Sequence, residues 1–193
     1  MSDTTAALLT ATAELVERVP PLRHLAPAIT SSAPASVTPS ALPVLSWLPE
    51  AAARATPLTR ALVRCLVAAS PALAWRRSYG AEVDASFLAS YGWVDLVGAH
   101  GPRRAPGLRL GFLLLGARTR YPPHAHAAEE HYVPLSGAAL WTRGRSPPAL
   151  QRPGALIHHP PWEPHATETT DEPLLALYVW RGARLNAGPR WEV

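Results

Sequence analysis

The spacing of apolar side chains divides the chain into two parts of different character. Over residues 6–19 the apolar positions recur at helical spacing, and two prolines end the pattern. A second amphipathic pattern over residues 58–69 predicts another helix, which ends near Pro71. Residues 26–43 are rich in Pro, Ser and Ala and show no period, so they predict a loop or extended connection. The first third of the chain is therefore predicted to be largely helical.

From about Tyr91 onwards, short apolar runs separated by glycine and proline replace the helical pattern. The runs cover residues 93–97, 108–115, 131–135, 138–142, 155–159 and 174–180. Runs of this length and spacing predict the strands of an antiparallel barrel or sandwich. The interior of a small closed barrel is wide enough for one small ligand. We therefore predict a helical N-terminal extension over residues 1–90 and a β-barrel over residues 91–193.

Composition narrows the classes of function. The chain has 193 residues, of which 48% are hydrophobic and 17% charged, so it can bury one sizeable core. Its formal charge is +4, but every basic residue is arginine and none forms a stripe with aromatic residues, which argues against a nucleic-acid partner. No apolar stretch is long enough to cross a membrane, and the first residues lack the pattern of a secretory signal. A soluble, cytoplasmic protein without a membrane partner is expected.

The segment around residues 121–137 contains the most informative chemistry. In an extended strand, His124, His126 and Glu130 occupy even positions and point to one side. His165, flanked by proline in a later segment, is the best candidate for a fourth ligand. Two imidazoles, a carboxylate and a further imidazole suit a divalent first-row metal, whereas the lone Cys65 excludes a thiolate cage. The alternative interpretation is that these are unrelated surface histidines.

The same segment resembles the first motif of the cupin family, which runs HxH, three or four residues, Glu, six residues, Gly. His124, His126, Glu130 and Gly137 match that spacing. The second cupin motif is present in altered form, with Pro153-Gly154 and His165, and with Thr169 where an Asn often stands. The resemblance implies a mainly β fold: a cupin barrel, also called a double-stranded β-helix or jelly roll. It also implies a metal bound by His124, His126, Glu130 and His165.

A narrower resemblance is to the cupin-type dimethylsulfoniopropionate (DMSP) lyases, in particular the Q type of the Ddd enzymes. The string from Tyr121 to Tyr132 has both tyrosines where that family has them, although Ala is displaced or doubled within it. The helical N-terminal third and the closing strand from Tyr178 to Gly182 are also similar. The resemblance implies β-elimination of DMSP to dimethyl sulfide and acrylate. It further implies one divalent metal, with Fe(II) the first choice and Zn(II), Mn(II) or Ni(II) as alternatives.

Residue roles for this reaction follow from the resemblance and from the chemistry of the substrate. Tyr132 lies two residues after Glu130 on the same strand face, so its phenol is our candidate base, with Tyr121 as the alternative. Tyr121 and Trp180 are the candidates for an aromatic site that binds the sulfonium group of DMSP. Glu129 and His131 occupy odd positions and are expected to face away from the site.

Several other interpretations remain open at the level of sequence. His158 and His159 precede a Pro-Pro turn and are expected to be structural, and Trp93, Trp141 and Trp162 are expected to serve packing. The same ligands would suit another metal-dependent cupin enzyme, such as a dioxygenase or an isomerase. They would also suit a non-catalytic cupin that binds a small molecule. A homodimer is compatible with the fold, although no residue pattern demands one.

Overall fold

The computed structural model describes residues 3–182 and 184–191. The α-helices are α1 (Asp3–Glu17), α2 (Ala26–Thr30), α3 (Leu48–Ala53), α4 (Arg60–Ala69) and α5 (Ala85–Ala89), and 3₁₀ turns lie at Arg23–Leu25, Pro43–Trp47 and Ser70–Ala72. The first strands are β1 (Ala33–Pro34), β2 (Tyr91–Val97), β3 (Arg103–Arg104), β4 (Leu108–Leu115), β5 (Arg120–Ala125) and β6 (Glu129–Ser136). The later strands are β7 (Ala139–Arg143), β8 (Ala149–Gln151), β9 (Ile157–His159), β10 (His165–Thr169), β11 (Leu174–Arg181) and β12 (Arg190–Trp191).

The strands form two sheets that face each other. The larger sheet has the order β1-β3-β2-β4-β11-β6-β9, and the smaller has the order β12-β5-β10-β7-β8. Pairing is antiparallel except between β2 and β3. Within the described residues, no helix is long and apolar enough to cross a lipid bilayer.

Both faces of the central strands of the larger sheet are largely buried, and this explains their long apolar runs. Alternate residues such as Phe112, Val133 and Leu177 pack under the helices in one hydrophobic cluster. The residues between them, such as Leu113 and Tyr178, pack against the smaller sheet in a second cluster. A strand that is covered on both sides has a continuous run of hydrophobic residues in its sequence. All eight residues of β4 are buried. The helices therefore share a core with the sheet, and the barrel interior lies on its other side.

Residues 26–43 contain more regular structure than the sequence predicts, so the expectation of a loop or extended connection was wrong for part of this segment. α2 occupies Ala26–Thr30, and β1 follows at Ala33–Pro34. Pro27 lies in the first turn of α2, where its missing N–H has no partner to lose. The buried Ile29 anchors the helix to the core. A five-residue helix is too short to show a hydrophobic period.

The glycine of the HxH…E…G spacing has a clear structural role. Gly137 follows β6 and leads into β7 with a φ of +73°, which side chains other than glycine rarely adopt. A Cβ at this position would stand 2.0 Å from the carbonyl oxygen of Pro173. The turn that follows the strand of Glu130 therefore requires glycine.

Candidate functional site

The candidate metal ligands come from strands on both walls of the barrel. His124 lies on β5 and pairs in register with His165 on β10, in the smaller sheet. Glu130 lies on β6 of the larger sheet, flanked by Trp180 on β11 and His159 on β9. His126 follows directly after β5. The facing sheets thus bring residues separated by up to about forty positions to one point in the interior.

Three of the four predicted ligands lie together, because His126 and His165 both face one carboxylate oxygen of Glu130. His126 Nε2 lies 3.0 Å and His165 Nε2 3.2 Å from Glu130 Oε2. One ligand atom from each of these residues lies within 4.8 Å of the other two, and all three residues are buried. Burial alone would raise the pKa of Glu130. The interactions of Glu130 with His126 and His165 outweigh burial and hold this pKa well below its usual range.

The hydrogen bonds of the histidines orient their rings for metal binding. His124 Nδ1 lies 2.8 Å from Pro122 O, His126 Nδ1 3.0 Å from Ala128 O, and His165 Nδ1 2.8 Å from Glu163 O. A proton donated from Nδ1 to a carbonyl leaves Nε2 as the ligand atom. Two such Nε2 lone pairs would repel the Glu130 oxygen that they face unless a proton or metal cation lay between them. The donor set therefore fits a divalent metal, held by imidazole nitrogen and carboxylate oxygen.

His124 stands beside this trio rather than within it. Its ring lies 4.2 Å from that of His165 and 6.3 Å from that of His126, measured between centroids. Burial holds the pKa of His124 well below its ordinary value, which favours the neutral imidazole. A neutral imidazole is the form that binds metals. The stacked ring of Tyr121, 3.9 Å away at 13°, fixes the plane of His124.

The two tyrosines that are candidates for the base have different surroundings. Tyr132 is buried next to Glu130. Burial raises its pKa well above the ordinary value, and the charge and hydrogen bond of Glu130 raise it further. The hydroxyl of Tyr121 lies 3.1 Å from that of Tyr79 and 3.4 Å from that of Tyr91, so it belongs to a cluster of three phenols. Both tyrosines line the same cavity.

Trp180 contacts the ligand Glu130 directly. Its indole Nε1 donates a hydrogen bond to Glu130 Oε1, the oxygen that the histidines leave free. Its ring lies 4.1 Å from the ring of His126, and the guanidinium of Arg109 lies 4.8 Å from its centroid. Trp180 was predicted to bind substrate. In the structure it lines the cavity and also holds a candidate metal ligand in place.

A cavity of about 210 Å³ opens onto Glu130 and Tyr132. Six aromatic residues contribute to its walls: Tyr91, Trp93, Tyr121, Tyr132, Tyr178 and Trp180. Arg76, Arg77 and Arg109 contribute positive charge to the same walls. An aromatic pocket with positive charges and a metal-ligand cluster suits a small molecule with both an anionic and an apolar or cationic end.

Sequence reasoning missed two contributors to this site. His159 was expected to be structural, yet it faces the interior and its ring stacks on His165 at 4.0 Å and 13°. Neither of its ring nitrogens has a hydrogen-bond partner, and Nδ1 lies 3.6 Å from Glu163 Oε2. The role of Arg109 could have been inferred from the sequence, because it is a charged residue within an apolar run, and a buried charge needs a partner. That partner is Asp95, whose Oδ1 lies 2.8 Å from Arg109 Nε.

The remaining expectations concern residues that were predicted to have no role in the site. Glu129 and His131 point to the opposite face of β6, where they meet His158. Trp141 is buried in the cluster between the two sheets, whereas Trp162 is about half exposed. Trp93 was expected to serve packing. It also lines the cavity, with the guanidinium of Arg109 lying 4.5 Å from its ring.

Comparison with known proteins identifies the family and the fold. The family model described as dimethylsulfoniopropionate lyase matches residues 16–176. Dimethylsulfoniopropionate lyase DddQ of Ruegeria pomeroyi is 33% identical over 153 residues, which are 79% of this chain and 76% of that protein. Its crystal structure aligns with a TM-score of 0.92 and 31% identity, over 99% of this chain and 97% of that one.

A more distant structure shows the fold alone. A cupin-2 domain from Rhodospirillum rubrum aligns with a TM-score of 0.51 and 18% identity, over 64% of this chain and 77% of that one. The predicted mainly β cupin barrel with an N-terminal helical extension is confirmed. Because the family model covers most of its length, the chain belongs to the dimethylsulfoniopropionate lyase family.

Proposed function

We propose that this chain is a metal-dependent carbon–sulfur lyase that cleaves DMSP to dimethyl sulfide and acrylate. Membership of the DMSP lyase family and the likeness to DddQ support this substrate. One structural observation carries the proposal. His126, Glu130 and His165 converge inside the barrel, and Glu130 lines a cavity together with Tyr132, whose phenol lies beside it.

The reaction is a β-elimination. A base removes a proton from the carbon next to the substrate carboxylate, and the electron pair of that C–H bond forms the double bond of acrylate. The carbon–sulfur bond breaks with its electrons going to sulfur, so dimethyl sulfide leaves as a neutral molecule. Because the leaving group is neutral, the site needs no general acid.

We assign the metal to His126, Glu130 and His165, with His124 as the predicted fourth ligand beside them. Fe(II) is our first choice, and Zn(II), Mn(II) and Ni(II) suit the same nitrogen and oxygen donors. A divalent cation bound there would act as a Lewis acid on the substrate carboxylate and would favour the phenolate form of the adjacent tyrosine. The Nδ1 hydrogen bonds hold the imidazoles in the ligand form.

We assign the base to Tyr132, with Tyr121 as the alternative. Tyr132 lies against Glu130, so its pKa is the more sensitive of the two to a charge at the metal ligands. Tyr121 shares its hydroxyl with Tyr79 and Tyr91 and stacks on His124, an arrangement suited to positioning. Tyr121 and Trp180 are our candidates to contact the sulfonium, because aromatic faces attract cations.

The test is headspace gas chromatography for dimethyl sulfide, with DMSP and purified protein loaded with Fe(II), Mn(II) or Zn(II). We expect metal-dependent dimethyl sulfide with equimolar acrylate. The gas should disappear in His126→Ala and persist in His24→Ala, which changes an exposed histidine on a 3₁₀ turn instead. A folded, metal-loaded protein that releases no gas would overturn the assignment. Oxygen consumption would then indicate a dioxygenase, and ligand-induced stabilisation without product would indicate a binding protein.

Two further expectations from the sequence stay predictions. These are the cytoplasmic location and the homodimer, neither of which follows from the contacts of a single chain. Sedimentation of the purified protein would establish its oligomeric state.

A further inference from the structure

A second group of metal-ligating side chains lies on the outer face of β6, behind the cavity. Glu129 and His131 are two residues apart on β6, so their side chains share a face. His158 on β9 pairs directly with His131 across the strands. One ligand atom from each of the three residues lies within 4.8 Å of the other two. Cross-strand neighbours on one face are close enough for side chains to share a ligand.

The contacts within this group leave ligand atoms available. His131 is 8% exposed, and its Nδ1 is buried without a hydrogen-bond partner. His158 Nε2 lies 3.1 Å from Glu129 Oε1. The two imidazole rings stack at 4.5 Å and 18°. A metal binds in the plane of an imidazole, so the rings must turn to share one. The side chain of His158 is 43% exposed, so it can make that turn without losing core packing.

We propose that Glu129, His131 and His158 form a second site for a divalent cation, separate from the centre inside the barrel. Two imidazole nitrogens and one carboxylate oxygen suit a borderline cation such as Zn(II) or Ni(II). The exposed side of the group leaves room for water molecules to complete the coordination. The two sites are distinct because adjacent residues of a strand point to opposite faces, with Glu129 outside and Glu130 inside.

Arg181 lowers the affinity of this outer site for a cation. Its Nη1 lies 3.9 Å from Glu129 Oε2, and the two residues pair in register on β11 and β6. The guanidinium repels an arriving cation and competes for the same carboxylate. We therefore expect the outer site to bind more weakly than the buried centre, and Arg181→Gln to tighten it.

A cation bound at the outer site would stabilise the pairing of the edge strand β9 with β6. β9 is the last strand of the larger sheet, and three register pairs join it to β6. A cation held by His158 on one strand and by Glu129 and His131 on the other bridges the two. The same strands carry Glu130 and His159 on their inner faces. A ligand that binds the folded chain raises its stability, so the cation should raise the melting temperature.

The test counts bound metal in full-length protein by titrating Zn(II) against a chromophoric chelator. We expect two equivalents for the wild type, one for His158→Ala, one for His126→Ala and none for the double variant. His158→Ala changes a half-exposed side chain, so it should fold normally. His24→Ala serves as the matched control and should keep both equivalents. Glu129→Gln keeps the side-chain volume, removes the charge and should weaken the outer site.

Thermal unfolding supplies a second measurement that needs no catalytic activity. In the His126→Ala background, Zn(II) should raise the melting temperature, and this rise should vanish when His158→Ala is added. The proposal is overturned if His158→Ala binds as many equivalents as the wild type. Failure of the proposed lyase activity would look different, because a protein that releases no dimethyl sulfide would still show the loss of one equivalent in His158→Ala.

Discussion

Two oxygens of one buried carboxylate have separate partners at the centre of the barrel. Glu130 Oε2 faces the two histidines, and Oε1 accepts the indole N–H of Trp180. A partner that holds a ligand in place contributes to metal affinity, and its loss commonly costs about 10- to 100-fold. The orientation of Glu130 therefore depends on a residue that the sequence pointed to for a different role.

We expect Trp180→Phe to weaken metal binding by about 10- to 100-fold, because it keeps an aromatic ring and removes the N–H donor. Competition between the protein and a chelator measures this affinity. Trp162→Phe is the matched control, because Trp162 is 47% exposed and outside the cavity lining. If Trp180→Phe binds metal as tightly as the wild type, the indole does not position the ligand, and any effect on KM for DMSP would then belong to substrate contact.

Single substitutions also distinguish the two tyrosines, Tyr132 and Tyr121, that are candidates for the base. We expect Tyr132→Phe to lower kcat by about 10²- to 10⁴-fold, the usual contribution of a general base, with the metal content unchanged. Tyr121→Phe should have a smaller effect, because Tyr79 and Tyr91 remain in the phenol cluster. Steady-state kinetics with parallel metal analysis measures both. The reverse order of the two losses would transfer the base to Tyr121.

At the level of elements, a buried ion pair joins β2 to β4. Asp95 is fully buried, and Arg109 Nε lies 2.8 Å from its carboxylate. Tyr178 on β11 donates its hydroxyl to the same carboxylate, so three neighbouring strands meet at Asp95. The guanidinium also lies beside the rings of Trp93 and Trp180, which line the cavity. The pair therefore links strand packing to the shape of the site.

We expect Arg109→Met to lower the free energy of unfolding by about 3–5 kcal/mol, because it leaves a buried carboxylate without its cation. Urea unfolding followed by tryptophan fluorescence measures the change. Adding Asp95→Asn removes the orphaned charge and should recover part of the loss. A single variant as stable as the wild type would mean that Asp95 is protonated or hydrated without Arg109.

The strands of the larger sheet were easier to predict than those that carry the histidines. Five of the six predicted apolar runs overlap strands of the larger sheet, where burial on both faces makes long strands such as β4 apolar throughout. The sixth run, residues 138–142, overlaps β7 of the smaller sheet. β5 and β10 lie outside those runs. They carry proline, histidine and threonine, because their inner faces supply the site. His124, His126 and Glu130 were predicted to lie together on one face of a single strand, and this reason was wrong: β5 ends at Ala125 and β6 begins at Glu129 in the other sheet. The three side chains meet across the barrel interior instead.

Features that depend on which strands become neighbours were beyond the sequence. His159 reaches the site because β9 pairs with β6 and sets it opposite Glu130. The indole of Trp180 reaches Glu130 because β11 is the other neighbour of β6. Both pairings join segments that are far apart in the chain. The local sequence pattern around each residue does not indicate these strand pairings.

At the level of the whole molecule, the larger sheet separates two environments. Its inner face contributes Glu130, Tyr132, Tyr178 and Trp180 to the cavity, and the helices cover the apolar residues of its outer face, such as Phe112 and Val133. The likeness to DddQ extends over 99% of the chain, so it includes the helices as well as the barrel. The predicted division into residues 1–90 and 91–193 marks a change of secondary structure, while one hydrophobic cluster spans both parts.

This shared cluster predicts that the barrel depends on the helices for stability. Leu66 of α4 is completely buried in it, so Leu66→Ala should lower the free energy of unfolding of the full chain by about 2–5 kcal/mol. A fragment of residues 91–193 would expose Leu110, Phe112, Val133 and other outer-face residues, and we expect it to aggregate or to bind a hydrophobic dye. Calorimetry of the full-length variant and gel filtration of the fragment measure the two effects. A soluble fragment that unfolds cooperatively and binds one metal would show instead that the barrel is an independent domain, and that the helical layer contributes to something other than its folding.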